Sequence, residues 1–502
     1  MRAFSSVFRF LALVLTVSVL GGCGSESSFT ILHFGDLHGH LHPLKRTEGK
    51  TDIESGGIAR LIGGLKAAKQ AAGPDSLILY NGDTIQGTTF STFFKGEVSF
   101  GLLDGVIDYM VPGVHDFDYG QQNFINLTGK AKFKVLSANI FNKDAKPFTG
   151  SDYVIKDFNG IKVGIFGLTV RITEILQPTR NIDGLTFGAV EEAARSMVQM
   201  MRSQGVDFIV ALTHQGLEED KKLARAVDGI NLIVGGLSHT ILTNGFLVFD
   251  TWIAHAGYRG EHFGSVTVRY DKGKKQILSV TTSVVDVTPE IPADPEVAKV
   301  VEKYTKELKS KLDVVVSKTD VLLEGSRNKV RGNETNLGNL LADVLQRETG
   351  AEMCLINSGV IRASINPGPI KIADVLNVLP YPNNVSTVRL SGKTIYRIIE
   401  KSAATNPGEG RFLQVSRGLQ YKIRGRTLAE LKFNGKDIEE NRIYTVATSD
   451  FLADGGDNYP EFKQERERKN TGITMAEFMI EALKRMPNID AKVEGRIVRI
   501  EG

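Results

Sequence analysis

Four apolar runs in the first half of the chain each end in an aspartate or a histidine. They are FTILHFGDLHGH (Phe29 to His40), LILYNGD (Leu77 to Asp83), FIVALTH (Phe208 to His214) and LIVGGLSH (Leu232 to His239). Carboxylates and imidazoles gathered without thiolates make a hard-to-borderline cation site, suited to Mn, Zn, Co or Mg rather than to iron–sulfur chemistry. Unbroken Val/Ile/Leu runs indicate strands buried on both faces of a sheet. In open α/β sheets the polar residues just past the strand ends share one crevice, which is where these four termini would meet.

A chain of 502 residues is too long for one hydrophobic core, so two domains are expected. The apolar fraction of 41% and charged fraction of 24% are those of a globular protein. With a net charge of +3 and no basic block, nothing points to a nucleic acid polymer as partner. Arg2 and Arg9 precede an apolar stretch from Phe10 to Leu20, the pattern of a secretory leader. It is short for a bilayer span. Leu20-Gly21-Gly22-Cys23 resembles a bacterial lipobox, which implies a signal peptide over 1–22 and lipid on Cys23. A plain secreted protein with a cysteine there is the other reading. Several acyl chains would hold a lipoprotein stably on the cell envelope, facing the periplasm or the exterior. The second cysteine is Cys354, so acylation of Cys23 leaves no intrachain disulfide.

Residues 23–28 read as a small, polar tether. From 29 to 287 strands alternate with helices, an α/β pattern. It includes a helix over Gly57 to Ala71 with Ile58, Leu61, Ile62 and Leu65 on one face, a strand over Lys162 to Thr169 and a helix over Val190 to Met201. The segment 288–312 opens with prolines and continues as a charged amphipathic helix, an inter-domain linker. Residues 313–502 are again mixed, with a stripe of Leu337, Leu340, Leu341, Val344 and Leu345 before a strand over Glu352 to Asn357. That stripe and Trp252 are expected in the core.

Taken in order, five motifs resemble the calcineurin-like metallophosphatases, and more closely the bacterial 5'-nucleotidase and UDP-sugar hydrolase family. Asp36, His38 and Gly39 match its opening Asp-x-His-Gly, and Gly82-Asp83 its Gly-Asp. GVHDFDYG, Gly113 to Gly120, aligns with Gly-Asn-His-Glu/Asp-Phe-Asp-Tyr-Gly. His214 falls on the histidine of its His-x-Gly, and GGLSH, Gly235 to His239, on Gly-Gly-His-Ser-His/Gln. The resemblance implies an α/β protein with an N-terminal metallophosphatase β-sandwich flanked by helices, a linker helix and a C-terminal α/β substrate-binding domain. It implies Asp36, His38, Asp83, His214 and His239 as metal ligands, with Asp83 bridging two divalent ions. Paired ions clamp the oxygens of an in-line phosphoryl displacement and make water a competent nucleophile. His115, oriented by Asp118, would then balance charge on the phosphoryl group and protonate the leaving oxygen.

Two family ligands are absent: Val114 stands where the family has asparagine, and Leu237 where it has histidine. Both belong to the second metal site, which keeps Asp83 and His214. Three explanations stay open: substitution by His40 or His255, one firm ion with a second recruited alongside substrate, or a centre retained for binding alone.

The second domain carries the resemblance nearly intact. Arg327 and Arg331 in RNKVRGNETNLGN, with Asn357 and Arg362 in NSGVIR, match residues that face the substrate's phosphate or carboxyl groups. Tyr381 and Asn383 in PYPNN, with Phe451 in DFLADGGD, match groups beside the base, and Asp457 matches the ribose-binding carboxylate. Gly455 and Gly456 are expected to let the backbone approach the ligand. Domain rotation is implied for turnover. The expected function is a metal-dependent phosphoesterase that hydrolyses extracytoplasmic nucleotides or nucleotide sugars. A catalytically impaired nucleotide-binding lipoprotein is the alternative. A thiosulfohydrolase-like ester hydrolase is disfavoured by Asp118 and the nucleotide pocket.

Overall fold

A computed structural model describes residues 25–48, 51–171, 181–381, 383–463 and 467–500. The leader over 1–22 and Cys23 lie outside the described residues. The chain divides into two compact units, the first running to Lys306 and the second beginning at Glu307. A helix over Pro295–Leu312 carries the chain across that boundary.

The strands that build the first unit are β1 (Glu26–Phe34), β2 (Ser76–Tyr80), β3 (Tyr109–Met110), β4 (Lys134–Val135), β5 (Tyr153–Phe158), β6 (Ile161–Thr169), β7 (Phe208–His214), β8 (Leu232–Gly235), β9 (Phe246–Val248), β10 (Thr251–Ala254), β11 (His262–Asp271) and β12 (Gln276–Asp286). Among the described residues they form two six-stranded sheets, ordered β12-β11-β1-β2-β3-β4 and β9-β10-β8-β7-β6-β5. β1 runs parallel to β2, and β7 runs parallel to both β6 and β8, so the carboxyl ends within each parallel set emerge together.

Side-chain alternation explains why these runs are apolar throughout. Phe29 and Ile31, Leu77 and Leu79, Phe208, Val210 and Leu212, and Leu232 and Val234 fill the space between the sheets. The intervening Ile209, Ala211 and Ile233 pack outward against Ala194, Val198 and Met201 of the helix Val190–Ser203. Phe29 stacks on Phe158 at 5.3 Å and meets Phe208 edge-on at 5.3 Å, joining the two sheets. The helix Ile58–Ala72 buries Ile58, Leu61, Ile62 and Leu65, the face read from the sequence, with Gly57 at its N-cap.

One boundary is corrected. Glu26, Ser27 and Ser28, expected in the tether, already belong to β1 and pair with Asp271, Tyr270 and Arg269 of β11. Small polar residues at a sheet's edge-exposed end look the same in sequence as a linker.

The second unit holds a five-stranded and a four-stranded sheet among its described residues. Leu337, Leu340, Leu341, Val344 and Leu345 of the helix Asn336–Thr349 are buried in its core beside Cys354 and Ile356.

Candidate metal centre and nucleotide pocket

The loops after β1, β2 and β8 turn sharply, and the turning residues are the ligand candidates themselves. Asp36 (φ 51), His38 (φ 48), Asp83 (φ 52) and His239 (φ 55) all adopt left-handed backbone, as does Leu237 (φ 75). That conformation costs a non-glycine residue roughly 1–2 kcal/mol, so this concentration marks strain held in place for function. The loops are zipped together by the Asp36 amide on the Gly82 carbonyl and the His38 amide on the Asp83 carbonyl, both 2.9 Å. Gly82 and Gly113 permit the approach: a Cβ on Gly113 would lie 2.3 Å from the Asp83 carboxylate.

Asp36, His38 and His239 form one group able to hold a cation, and Asp36, Asp83 and His214 another. His38 Nε2 lies 3.1 Å from His239 Nε2 and 3.8 Å from Asp83 Oδ2. His239 Nε2 is 3.6 Å from Asp36 Oδ1, and His214 Nε2 is 3.2 Å from Asp83 Oδ2. Imidazole nitrogens turned on one point between carboxylates suit a divalent ion. His214 Nε2 is buried with no aligned hydrogen bond, while its Nδ1 donates to the Asn81 carbonyl at 2.6 Å. That is the arrangement of an oriented ligand.

The electrostatics agree. Burial pushes the Asp36 carboxyl up to about 7, against the pull of His214. Burial also holds His38 down to about 4, leaving a neutral imidazole. Burial opposes charge on both Asp83 and His214, yet their proximity prevails: Asp83 stays below the usual carboxylate range and His214 rises to about 10. A cation entering here replaces the His214 proton, so its binding weakens as pH falls.

His115 lies on the rim, its ring centroid 5.6 Å from that of His38. Its amide donates to Asp83 Oδ1 at 2.7 Å, and its Nδ1 faces Asp118 Oδ2 at 3.0 Å. Burial works against its charge, but the hydrogen bond and charge of Asp118 raise it to about 9. His115 and Asp118 are thus brought together through Nδ1.

Val114 and Leu237 offer no side-chain lone pair at the centre. Leu237 contributes its amide, which donates to Asp36 Oδ1 at 3.1 Å. Neither His40 nor His255 joins either ligand group among the described residues. His255 Nε2 is taken by Asp220 Oδ2 at 2.8 Å, and His40 Nδ1 pairs with the His38 carbonyl at 2.9 Å.

Two carboxylates were not singled out by the sequence. Asp116, fully buried, accepts the amides of Gly113 (2.8 Å), Thr84 (2.8 Å) and Asp83 (3.0 Å), locking the Asp83 loop. Replacing Asp116 with alanine strands three buried donors. Unfolding in urea should show a loss of about 3–5 kcal/mol, and an unchanged midpoint would contradict this role. Asp220 joins His255 to Thr213 and Gln215, both at 2.8 Å, beneath the same loops. Its signal was a carboxylate on the apolar face of the helix Leu217–Ala226, in step with the buried Leu223 and Ala224.

In the second unit, Arg331 is buried while Arg327 and Arg362 are exposed. Burial, then repulsion from Arg327 and Arg362, lowers the Arg331 pKa, so three guanidiniums converge with nearby Asp457 and Tyr381. Arg362 lies over the Tyr381 ring at 5.8 Å, and Asn357 Nδ2 donates to Asp457 Oδ2 at 2.6 Å. Tyr381 is 45% and Phe451 42% exposed, too open for core residues. Asn383 donates from Nδ2 to Asp450 Oδ1 at 3.2 Å. One expectation changes: a Cβ on Gly456 would meet the Phe451 ring at 2.5 Å, so this glycine seats the aromatic rather than admitting a ligand.

Residues 29–240 match the family model of calcineurin-like phosphoesterases, and residues 315–464 that of the 5'-nucleotidase C-terminal domain. The 5'-nucleotidase precursor of Thermus thermophilus is 30% identical, with a TM-score of 0.62 over 94% of this chain and 99% of that one. The trifunctional nucleotide phosphoesterase protein YfkN of Bacillus subtilis (strain 168) is 30% identical over 94% of this chain, which spans 35% of that protein. The human 5'-nucleotidase is 30% identical across 96% of this chain and 92% of its own length. With both domains present in order and identity sustained along nearly the whole of the human relative, the chain belongs to the 5'-nucleotidase family of metal-dependent phosphoester hydrolases.

Proposed function

We propose that the protein hydrolyses extracytoplasmic nucleotides to nucleoside and phosphate with one firmly held divalent ion, while lipid on Cys23 keeps it on the cell envelope. The observation that carries the reading is the convergence of Asp36, His38, Asp83, His214 and His239 from four strand ends into groups fit for a cation. When bound, the ion supplies a Lewis acid for the phosphoryl oxygens and acidifies the attacking water. Asp83, fixed through Oδ1 by the His115 amide, presents Oδ2 to His214 and His38. Water attacks phosphorus in line, the bond to the nucleoside 5'-oxygen breaks, and the His115 Nε2 proton passes to that oxygen. Asp118 keeps His115 charged until then. On the second unit, Arg327, Arg331 and Arg362 offer planar forks for phosphate oxygens. Tyr381 and Phe451 offer faces for the base, Asn357 and Asp457 polar groups for the ribose, and Asn383 an amide beside the base.

One firm ion follows from the ligand count. By the family's pattern Asp36, His38, Asp83 and His239 make a full set, whereas Val114 and Leu237 leave the second position with Asp83 and His214, because Asp36, which groups with those two, is taken by the first ion. The test is phosphate release from AMP, UDP-glucose and bis(p-nitrophenyl) phosphate with Mn, Zn, Co or Mg, alongside metal counting. Turnover at about one ion per chain is expected. Nucleotide binding without phosphate release under any ion, cured only by Val114→Asn with Leu237→His, would establish the binder instead.

A further inference from the structure

The corrected start of β1 has a geometric consequence, which rests on lipidation of Cys23. Ser25 is already fixed, its carbonyl accepting the Lys272 amide at 2.7 Å. Two Cα steps join it to Cys23, a reach of at most about 7.6 Å. An acylated Cys23 therefore brings this end of the double sheet against the bilayer, whatever else lies there.

What lies there fits a membrane. Lys272, Lys274 and Lys275 form the turn between β11 and β12, directly beside Ser25 and Glu26. The turn between β9 and β10 is at the same end, because β10 runs parallel to β8, whose far end leads to His239. A Cβ on Gly245, which leads into β9, would lie 2.8 Å from Thr282 Oγ1 of β12, so the β9–β10 and β11–β12 hairpins lie on adjoining edges. Phe249 in that second turn is 75% exposed and held in left-handed backbone at φ 49. Leu247 is 50% and Leu278 40% exposed. A bulky aromatic displayed on a strained turn next to other open apolar residues marks a contact surface. Asp250 is the acidic group beside Phe249, and Glu26 is already paired with Arg269 at 2.8 Å.

We propose that this end of the first unit rests on an anionic membrane surface, with Phe249 and Leu247 entering the interface and the exposed Lys274 and Lys275 meeting lipid phosphates, while the Lys272 ammonium is held by the Asn159 carbonyl at 2.9 Å. Trp, Phe and Leu beside lysines are the residues of interfacial binding. The metal ligands then stand well clear of the headgroups: from Glu26 to Asp36 at about 3.3 Å per residue, the distance is about 30 Å. The centre faces solvent, where soluble nucleotides are.

The test uses lipidated protein on vesicles of phosphatidylglycerol and phosphatidylcholine, with Phe249→Cys carrying an environment-sensitive NBD label. Cys354 is fully buried and an acylated Cys23 has no thiol, so the label reports position 249. The emission should shift to the blue and be quenched by lipids bearing a spin label in the acyl region. Lys274→Gln and Lys275→Gln should lower the docked-to-undocked ratio about five-fold for each lysine removed, and high salt should also lower it. A label that stays in water while mass spectrometry finds acyl chains on Cys23 overturns the docking and leaves the anchor standing. A blue shift that needs no vesicles but grows with protein concentration assigns the surface to a second copy and also overturns it. Absence of acyl mass on Cys23 removes the anchor, and the docking with it.

Discussion

Replacing His115 with alanine lowers kcat by about 10²–10⁴-fold, leaves KM within a few-fold, and leaves the metal content of the purified protein unchanged. The separation is the diagnostic part. His115 touches the centre through its amide on Asp83 Oδ1, which alanine retains, and through its ring, which alanine removes. A variant that lost activity only because it lost metal would contradict the assignment. The pH profile gives a second reading. Since Asp118 raises His115 to about 9, the protonated form is fully present at neutral pH and is lost as pH climbs through that value. Activity should fall on the alkaline side there. Asp118→Asn should move that limb towards the ordinary imidazole value of about 6.5.

Asp83→Asn abolishes firm metal binding and lowers kcat/KM by at least about 10³-fold, as several kcal/mol of Lewis-acid stabilisation disappear. An amide is a poorer ligand and carries no charge to offset a divalent ion. The same substitution alters the metal-free protein. Asp83, lowered by its neighbours, stabilises the fold at neutral pH and stops doing so as pH falls through its depressed value. His214, raised to about 10, contributes fully below its ordinary value and stops as pH rises past about 10. Urea unfolding of metal-free protein between neutral and strongly alkaline pH should show this loss in the parent and not in Asp83→Asn. Removing one partner of a buried pair costs about 3–5 kcal/mol at neutral pH.

The centre was legible because its positions combine two strong signals. Asp36, Asp83, His214 and His239 follow apolar runs buried on both sheet faces, and parallel strands bring their ends together. What stayed hidden is orientation. Asp116 and Asp118 sit two residues apart in one turn, yet one is turned inward onto three amides and the other onto an imidazole. Spacing alone does not distinguish them. Glu26 to Ser28 read as a tether because β1's pairing with β11 is a long-range fact. In the second unit, exposure separates Tyr381 and Phe451 from core aromatics, and composition carries no such information. His255 looked available as a ligand until Asp220 was found holding it.

The central claim is that Asp36, His38, Asp83 and His239 grip a divalent cation despite Val114 and Leu237. Crystals of manganese-loaded protein, measured at the metal's absorption edge, test it directly. The account predicts one strong anomalous peak ringed by Asp36, His38, Asp83 and His239, with a weak or absent neighbour beside His214. A map without a peak among those residues would contradict it.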